Sequence, residues 1–177
     1  MDVATALFAA AAVLLIIAGM AKVARPSTTA DMLFSLGFPE IGALRGERLA
    51  IFIGILETGT GIIALAVGGP VVAAVVGVFY LGFVVAVMRA LAVGAVSCGC
   101  FGRVDAPPSW LHVAGNGALA VACFTATAAS TPVEVMEDQP AGGVGFVVLV
   151  GVIAGLGLVM FTALPEALAA RRPRFGS

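Results

Sequence analysis

Five apolar runs, at about 3–21, 49–68, 70–93, 109–130 and 143–164, divide this chain almost from end to end. Each is close to the roughly 20 residues that a helix needs to cross a bilayer. The composition agrees: 61% of the residues are hydrophobic and 11% charged, where an average soluble domain carries about 25% charged residues. The chain is predicted to be an all-α, polytopic membrane helix bundle whose first partner is the lipid bilayer, with the cell membrane as its location. A formal net charge of −1 gives no reason to expect nucleic acid. The first run resembles a cleavable leader at Gly19-Met20-Ala21, but Asp2 stands where a leader has a basic region, so it is read as a retained span.

The segments between the runs add detail. Gly68-Gly69-Pro70 reads as a tight turn with Pro70 opening the next helix, which makes the second and third spans antiparallel neighbours. Between the first two spans, Ser27 or Thr28 is expected to cap a short interfacial helix through Ser35, with Met32, Leu33 and Leu36 on one side and Gly37 and Pro39 ending it. Residues 131–142, with Glu134, Glu137 and Asp138 and no basic residue, read as a solvated acidic loop.

Charge gives the bundle a sidedness. If the spans alternate, the loops 22–48 and 94–108 and the tail after 164 share one face, and all nine basic residues lie there or just inside it. The positive-inside rule makes that face cytoplasmic and puts the N-terminus outside. Counting about 1.5 Å per residue, Glu57 lies roughly 13 Å in from the basic face, Asn116 roughly 10 Å and Arg89 roughly 7 Å, while Lys22 closes the first span. These four side chains, from four helices, are expected to converge in one leaflet, with Glu57 able to pair with Lys22 or Arg89. An ionisable group at such depth points to function or to a pairing that braces the bundle.

Above that cluster stands Cys98-Gly99-Cys100-Phe101-Gly102. Residues i and i+2 of an extended chain are about 7 Å apart, the outer limit for a disulfide, and Gly99 permits the tighter turn that closes the gap. A bridge in so small a ring is strained and easily reduced, as suits a transfer disulfide. Arg103 and Arg89 would favour the thiolate. Cys123, about 20 Å along the fourth span, is too deep to pair with either loop thiol. His112 follows Trp110 at the membrane edge and reads as an interfacial residue. Cys98, Cys100, Asp105 and His112 are metal-ligand types, but not in a recognised zinc spacing, so no metal site is assigned.

The order of these features resembles the MauE branch of the MauE/DoxX family of redox-associated membrane proteins. The resemblance rests on Ala18-Gly19-Met20-Ala21-Lys22 with Pro26 close behind, Glu57 in mid second span, Cys98-Gly99-Cys100-Phe101-Gly102 after the third, and Asn116 early in the fourth. It covers residues 1 to about 130. It implies a four-helix membrane domain (1–130) acting in thiol–disulfide exchange with a thioredoxin-like partner, as in methylamine utilisation, during maturation of a partner enzyme. By the same matching, Cys98 and Cys100 are the redox pair of an oxidoreductase and Glu57 is the buried family carboxylate, with Lys22, Arg89, Arg103 and Asn116 as supporting polar groups. Onward transfer to a quinone is one route for the electrons. The acidic loop (131–142), an additional transmembrane helix (143–164) and a basic tail (165–177) lie outside the four-helix pattern. A role for exported disulfides would favour a cysteine pair on the face opposite to the one that charge selects. The alternative function is a non-catalytic membrane scaffold for a redox or metalloenzyme complex. A transporter is disfavoured because no broken helices recur in two halves.

Overall fold

The computed structural model describes residues 3–37, 46–95, 107–128 and 131–170. They form seven α-helices, α1 (Val3–Ala24), α2 (Pro26–Ser35), α3 (Glu47–Ala66), α4 (Pro70–Val93), α5 (Trp110–Thr125), α6 (Pro132–Glu137) and α7 (Val144–Ala170), joined in part by 3₁₀ turns and with no strand among the described residues. The architecture is the expected all-α polytopic bundle. In hydrocarbon, a helix satisfies its own backbone and an open sheet does not. The helices α1, α3, α4 and α7 are each long and apolar enough to cross a membrane. The fourth expected span is shorter: α5 has 16 residues, about 24 Å of rise, and the 3₁₀ turn Ala126–Ala128 adds about 6 Å.

Helix α1 is the hub. Within its apolar window 61% of the residues are buried, against 22–28% for the other spanning helices, which turn most of their surface outward. It packs chiefly on α3, then on α7 and α5, while α4 packs chiefly on α5. The α1–α3 contact depends on small residues. A Cβ at Gly19 would stand 2.5 Å from the Gly54 carbonyl oxygen, and one at Gly54 would stand 2.6 Å from that of Gly19. Neither helix can carry a larger residue at this crossing, the usual device where lipid removes the hydrophobic drive for association.

On the other side of α1, Ala6, Ala10 and Leu14 join Phe146, Val150, Ala154 and Phe161 of α7 in one buried cluster. A second cluster unites Phe8, Leu15, Val76, Tyr80 and Cys123, and the Tyr80 hydroxyl donates to the Ala11 carbonyl at 2.7 Å. Cys123 is a buried free thiol within it.

Between α3 and α4 the chain turns at Gly68 (φ +64°) and Gly69 (φ +87°), and Pro70 occupies the first turn of α4, as the sequence predicts. Two local expectations are corrected. Helix α2 starts at Pro26, with Arg25 in the capping position and no side-chain cap, so neither Ser27 nor Thr28 caps it. Proline is preorganised for the first helical position and makes the cap dispensable. Its expected inner side is present: Leu36 is buried, Met32 and Leu33 are half-buried, and Phe34 faces outward. The acidic segment is not a plain loop. Thr131 and Glu134 form a reciprocal capping box, with the Glu134 amide donating to Thr131 Oγ1 at 3.3 Å and the Thr131 amide donating to Glu134 Oε2 at 2.8 Å. This closes the N-terminus of α6 and lets Pro132 and Val135 be buried.

Candidate functional site

Lys22 lies in the last turn of α1, and Glu57 at mid-length of α3. Because α1 and α3 run antiparallel and meet at the Gly19–Gly54 crossing, the two side chains share one level. Lys22 Nζ donates to Glu57 Oε2 at 2.7 Å, with side-chain exposures of 4% and 0%. The Lys22 ammonium also stands 5.2 Å from the centroid of the Phe83 ring of α4, within cation–π range. Glu57 Oε1 is buried and has no hydrogen-bond partner among the described residues. The site is therefore a carboxylate with one oxygen neutralised and the other vacant as an acceptor.

Arg89, the other expected partner of Glu57, is engaged elsewhere. Its Nε donates to the Leu36 carbonyl at 2.9 Å, tying the C-terminal end of α2 to α4. Leu36 follows the last helical residue of α2, so its carbonyl has no intrahelical donor and a guanidinium serves it well. Asn116 is buried, and its Nδ2 donates to the His112 carbonyl at 2.8 Å within α5. The four-residue convergence thus resolves into an ion pair, Lys22–Glu57, with Arg89 and Asn116 bonded to other groups. Asn116 borders a cavity of about 10 Å³, lined also by Leu14, Ala18, Tyr80, Phe83, His112 and Phe161, about enough for one water. Phe83 also lines the space beside Glu57, so its ring is a wall common to both.

A family model, methylamine utilisation protein MauE, matches residues 2–129. The chain belongs to the MauE family. No curated protein and no solved structure matches it. The MauE match takes in α1 to α5 and stops before α6 and α7. With its membrane-spanning helices, this is a multi-pass membrane protein of that family. The matched range includes Cys98, Cys100 and Arg103, which lie outside the described residues. The Lys22–Glu57 pair lies within it.

His112 has a role that sequence reasoning did not find. It is 1% exposed and held between α5 and α7, while Trp110 two residues earlier is 69% exposed. His112 Nε2 lies 2.9 Å from the Phe161 carbonyl oxygen and Nδ1 lies 2.8 Å from Ser109 Oγ. A carbonyl only accepts, which assigns the proton to Nε2 and leaves Nδ1 to accept from the serine in the neutral ring. Both ring nitrogens are thereby used, and the imidazole has no lone pair for a metal. Among the described residues, no cluster of three metal-ligating side chains occurs.

The reason for this arrangement lies in α7. Pro165 sits inside that helix and has no N–H for the carbonyl four residues before it, Phe161. His112 supplies a donor to that carbonyl from α5. The signal was present in the sequence as a proline in an apolar helix with a lone histidine elsewhere, but only the packing of α5 on α7 joins them.

Proposed function

We propose that this MauE-family protein is a membrane thiol–disulfide redox protein of the cell membrane. Cys98 and Cys100 exchange electrons with a thioredoxin-like partner in the maturation of a partner enzyme. The observation that carries the reading is the buried Lys22–Glu57 pair with its vacant carboxylate oxygen, in a matched range that also holds the Cys98-Gly99-Cys100 segment. In the exchange, one loop thiolate attacks the partner's disulfide, forming a mixed disulfide and releasing a partner thiolate. The second loop thiolate then attacks the mixed disulfide, so Cys98 and Cys100 become oxidised and the partner becomes a dithiol. Two electrons pass to the partner, and Glu57 is the group that takes up or returns a proton in the membrane. Run in the other direction, the loop dithiol is regenerated, and a lipid-soluble quinone is the acceptor class for electrons leaving the protein.

Mass-shift alkylation across a series of thiol redox buffers tests this reading. Two thiols are expected to become protected together as the buffer turns oxidising, and Cys123→Ala is expected to leave that step intact. A step that disappears in Cys123→Ala but persists in Cys98→Ala overturns the assignment. A protein whose loop thiols stay independent across the whole series is a scaffold instead.

A further inference from the structure

The basic residues among those described are of two kinds. Lys22 is bound to Glu57, and Arg89 to the Leu36 carbonyl. Arg25 and Arg48 are exposed, and neither side chain has an ion pair or hydrogen bond among the described residues. Both stand at one end of a groove of about 520 Å³ between α1 and α3, within the range of small-molecule sites. Met20, Val23 and Ala24 form its α1 wall, and Ile55, Gly59 and Ile62 lie along its α3 wall. Arg25 follows Ala24 directly and still closes a helical turn, its amide donating to the Ala21 carbonyl at 3.0 Å. Arg48 stands two turns before Ile55, on the same face of α3 as Gly59 and Ile62. Because the two helices are antiparallel and Val23 lies against Gly54, the end of α1 and the start of α3 meet at this end of the groove.

We propose that this groove holds one anionic phospholipid, its headgroup against Arg25 and Arg48 and an acyl chain laid along α3 from Ile55 to Ile62. The walls call for hydrocarbon. Met20, Val23, Ile55 and Ile62 are exposed apolar side chains, and Thr58, the polar side chain in the lining, donates to the Gly54 carbonyl at 2.8 Å. The open end calls for an anion, since a guanidinium matches phosphate oxygens in a two-pronged geometry. The first turn of α2, directly after Arg25, holds no acidic residue. Glu47 is exposed beside Arg48, but successive residues of a helix point about 100° apart, which turns its carboxylate away from the groove face. The length fits one leaflet. Arg48 and Ile62 are fourteen positions apart on α3, about 21 Å of rise, and the headgroup surface lies about 20–22 Å from the bilayer midplane. The site is separate from the thiol chemistry and does not depend on it.

Native mass spectrometry of the full chain, released from detergent with equal amounts of palmitoyl-oleoyl phosphatidylglycerol and phosphatidylcholine, tests the proposal. Wild type is expected to retain one phosphatidylglycerol, preferred by about fivefold for each arginine, the ratio that about 1 kcal/mol per basic residue near the surface gives. Arg25→Gln/Arg48→Gln alters only exposed side chains, so the fold persists and the two lipids are retained alike. Arg171→Gln/Arg172→Gln removes the same charge from the C-terminal tail and leaves the preference in place. Gly59→Leu fills the groove at a position where an added Cβ meets no atom within 4 Å, so the helices stay together and the retained phosphatidylglycerol is lost. Equal retention of the two lipids by wild type, a preference that survives Arg25→Gln/Arg48→Gln, an equal loss in the tail variant, or a phosphatidylglycerol that survives Gly59→Leu each overturns the proposal.

Discussion

Glu57 has two oxygens in two different circumstances, and that asymmetry sets what a substitution does. Lys22→Met leaves a carboxylate buried without its partner, and removal of one member of a buried pair costs about 3–5 kcal/mol. Replacing both, in Lys22→Met/Glu57→Leu, removes the charges together and is expected to recover most of that loss. Unfolding in mixed detergent micelles measures both, and equal stability of the two variants would falsify the pairing as the source of the cost. Glu57→Gln keeps the shape and deletes the titratable proton. Here the expected change is in the pH slope of the Cys98/Cys100 reduction potential, read from redox-buffer equilibria at several pH values. A slope identical to wild type, with only stability lowered, makes Glu57 a brace. The pair was legible in the sequence as one of two options, because Lys22 and Glu57 fall in the same leaflet of successive spans. Its choice of partner was not. Arg89 has the charge to compete, but the open Leu36 carbonyl at the end of α2 takes its guanidinium.

Helices hold one another here by supplying what a neighbour lacks. Pro165 offers no N–H to the Phe161 carbonyl, and His112 donates to it from α5. His112→Phe removes that buried hydrogen bond, at an expected cost of about 0.5–1.5 kcal/mol. In a Pro165→Ala background the alanine N–H returns to the same carbonyl, so the His112→Phe cost should shrink by most of that amount. A double-mutant cycle on unfolding free energies reads the coupling directly, and additive effects would mean that the histidine serves α7 in some other way. This dependence was hidden from the sequence because it joins positions 53 residues apart that only tertiary packing brings together. The α1–α3 crossing has the opposite character. Gly19 and Gly54 are visible as small residues in apolar runs, and the structure adds the distances that forbid anything larger. Gly54→Leu is expected to separate the helices and break the Lys22–Glu57 bond, detectable as loss of a folded monomer in detergent.

At the scale of the molecule, four of the five apolar runs are helices long and apolar enough to cross a bilayer, while the fourth run is the shorter, 16-residue α5. Local structure outside the runs was less legible. The acidic side chains before α7 are exposed, as expected, but Glu134 also closes the cap of α6 and Val135 is buried in the core, so the interval is not a plain loop. The additional helix α7 closes over the Ala6, Ala10 and Leu14 face of α1, so the part of the chain that follows the MauE match is built into the same bundle. This bears on sidedness. If α5 crosses as well, the odd number of crossings puts α2 and the C-terminal tail on one face and α6 on the other, and every Lys and Arg then falls on the first side or just inside it. Single cysteines at Ser27, Glu137 and Ser177, in a chain without native thiols, test the whole path with a membrane-impermeant maleimide on sealed vesicles of known orientation. Ser27→Cys and Ser177→Cys should label from the cytoplasmic side and Glu137→Cys from the other. If Glu137→Cys labels with Ser177→Cys, α7 does not cross. It would then have to lie along the surface while Phe146, Val150 and Phe161 are buried against the membrane-spanning α1, an arrangement that its packing excludes, so the inter-helix contacts themselves would have to be redrawn.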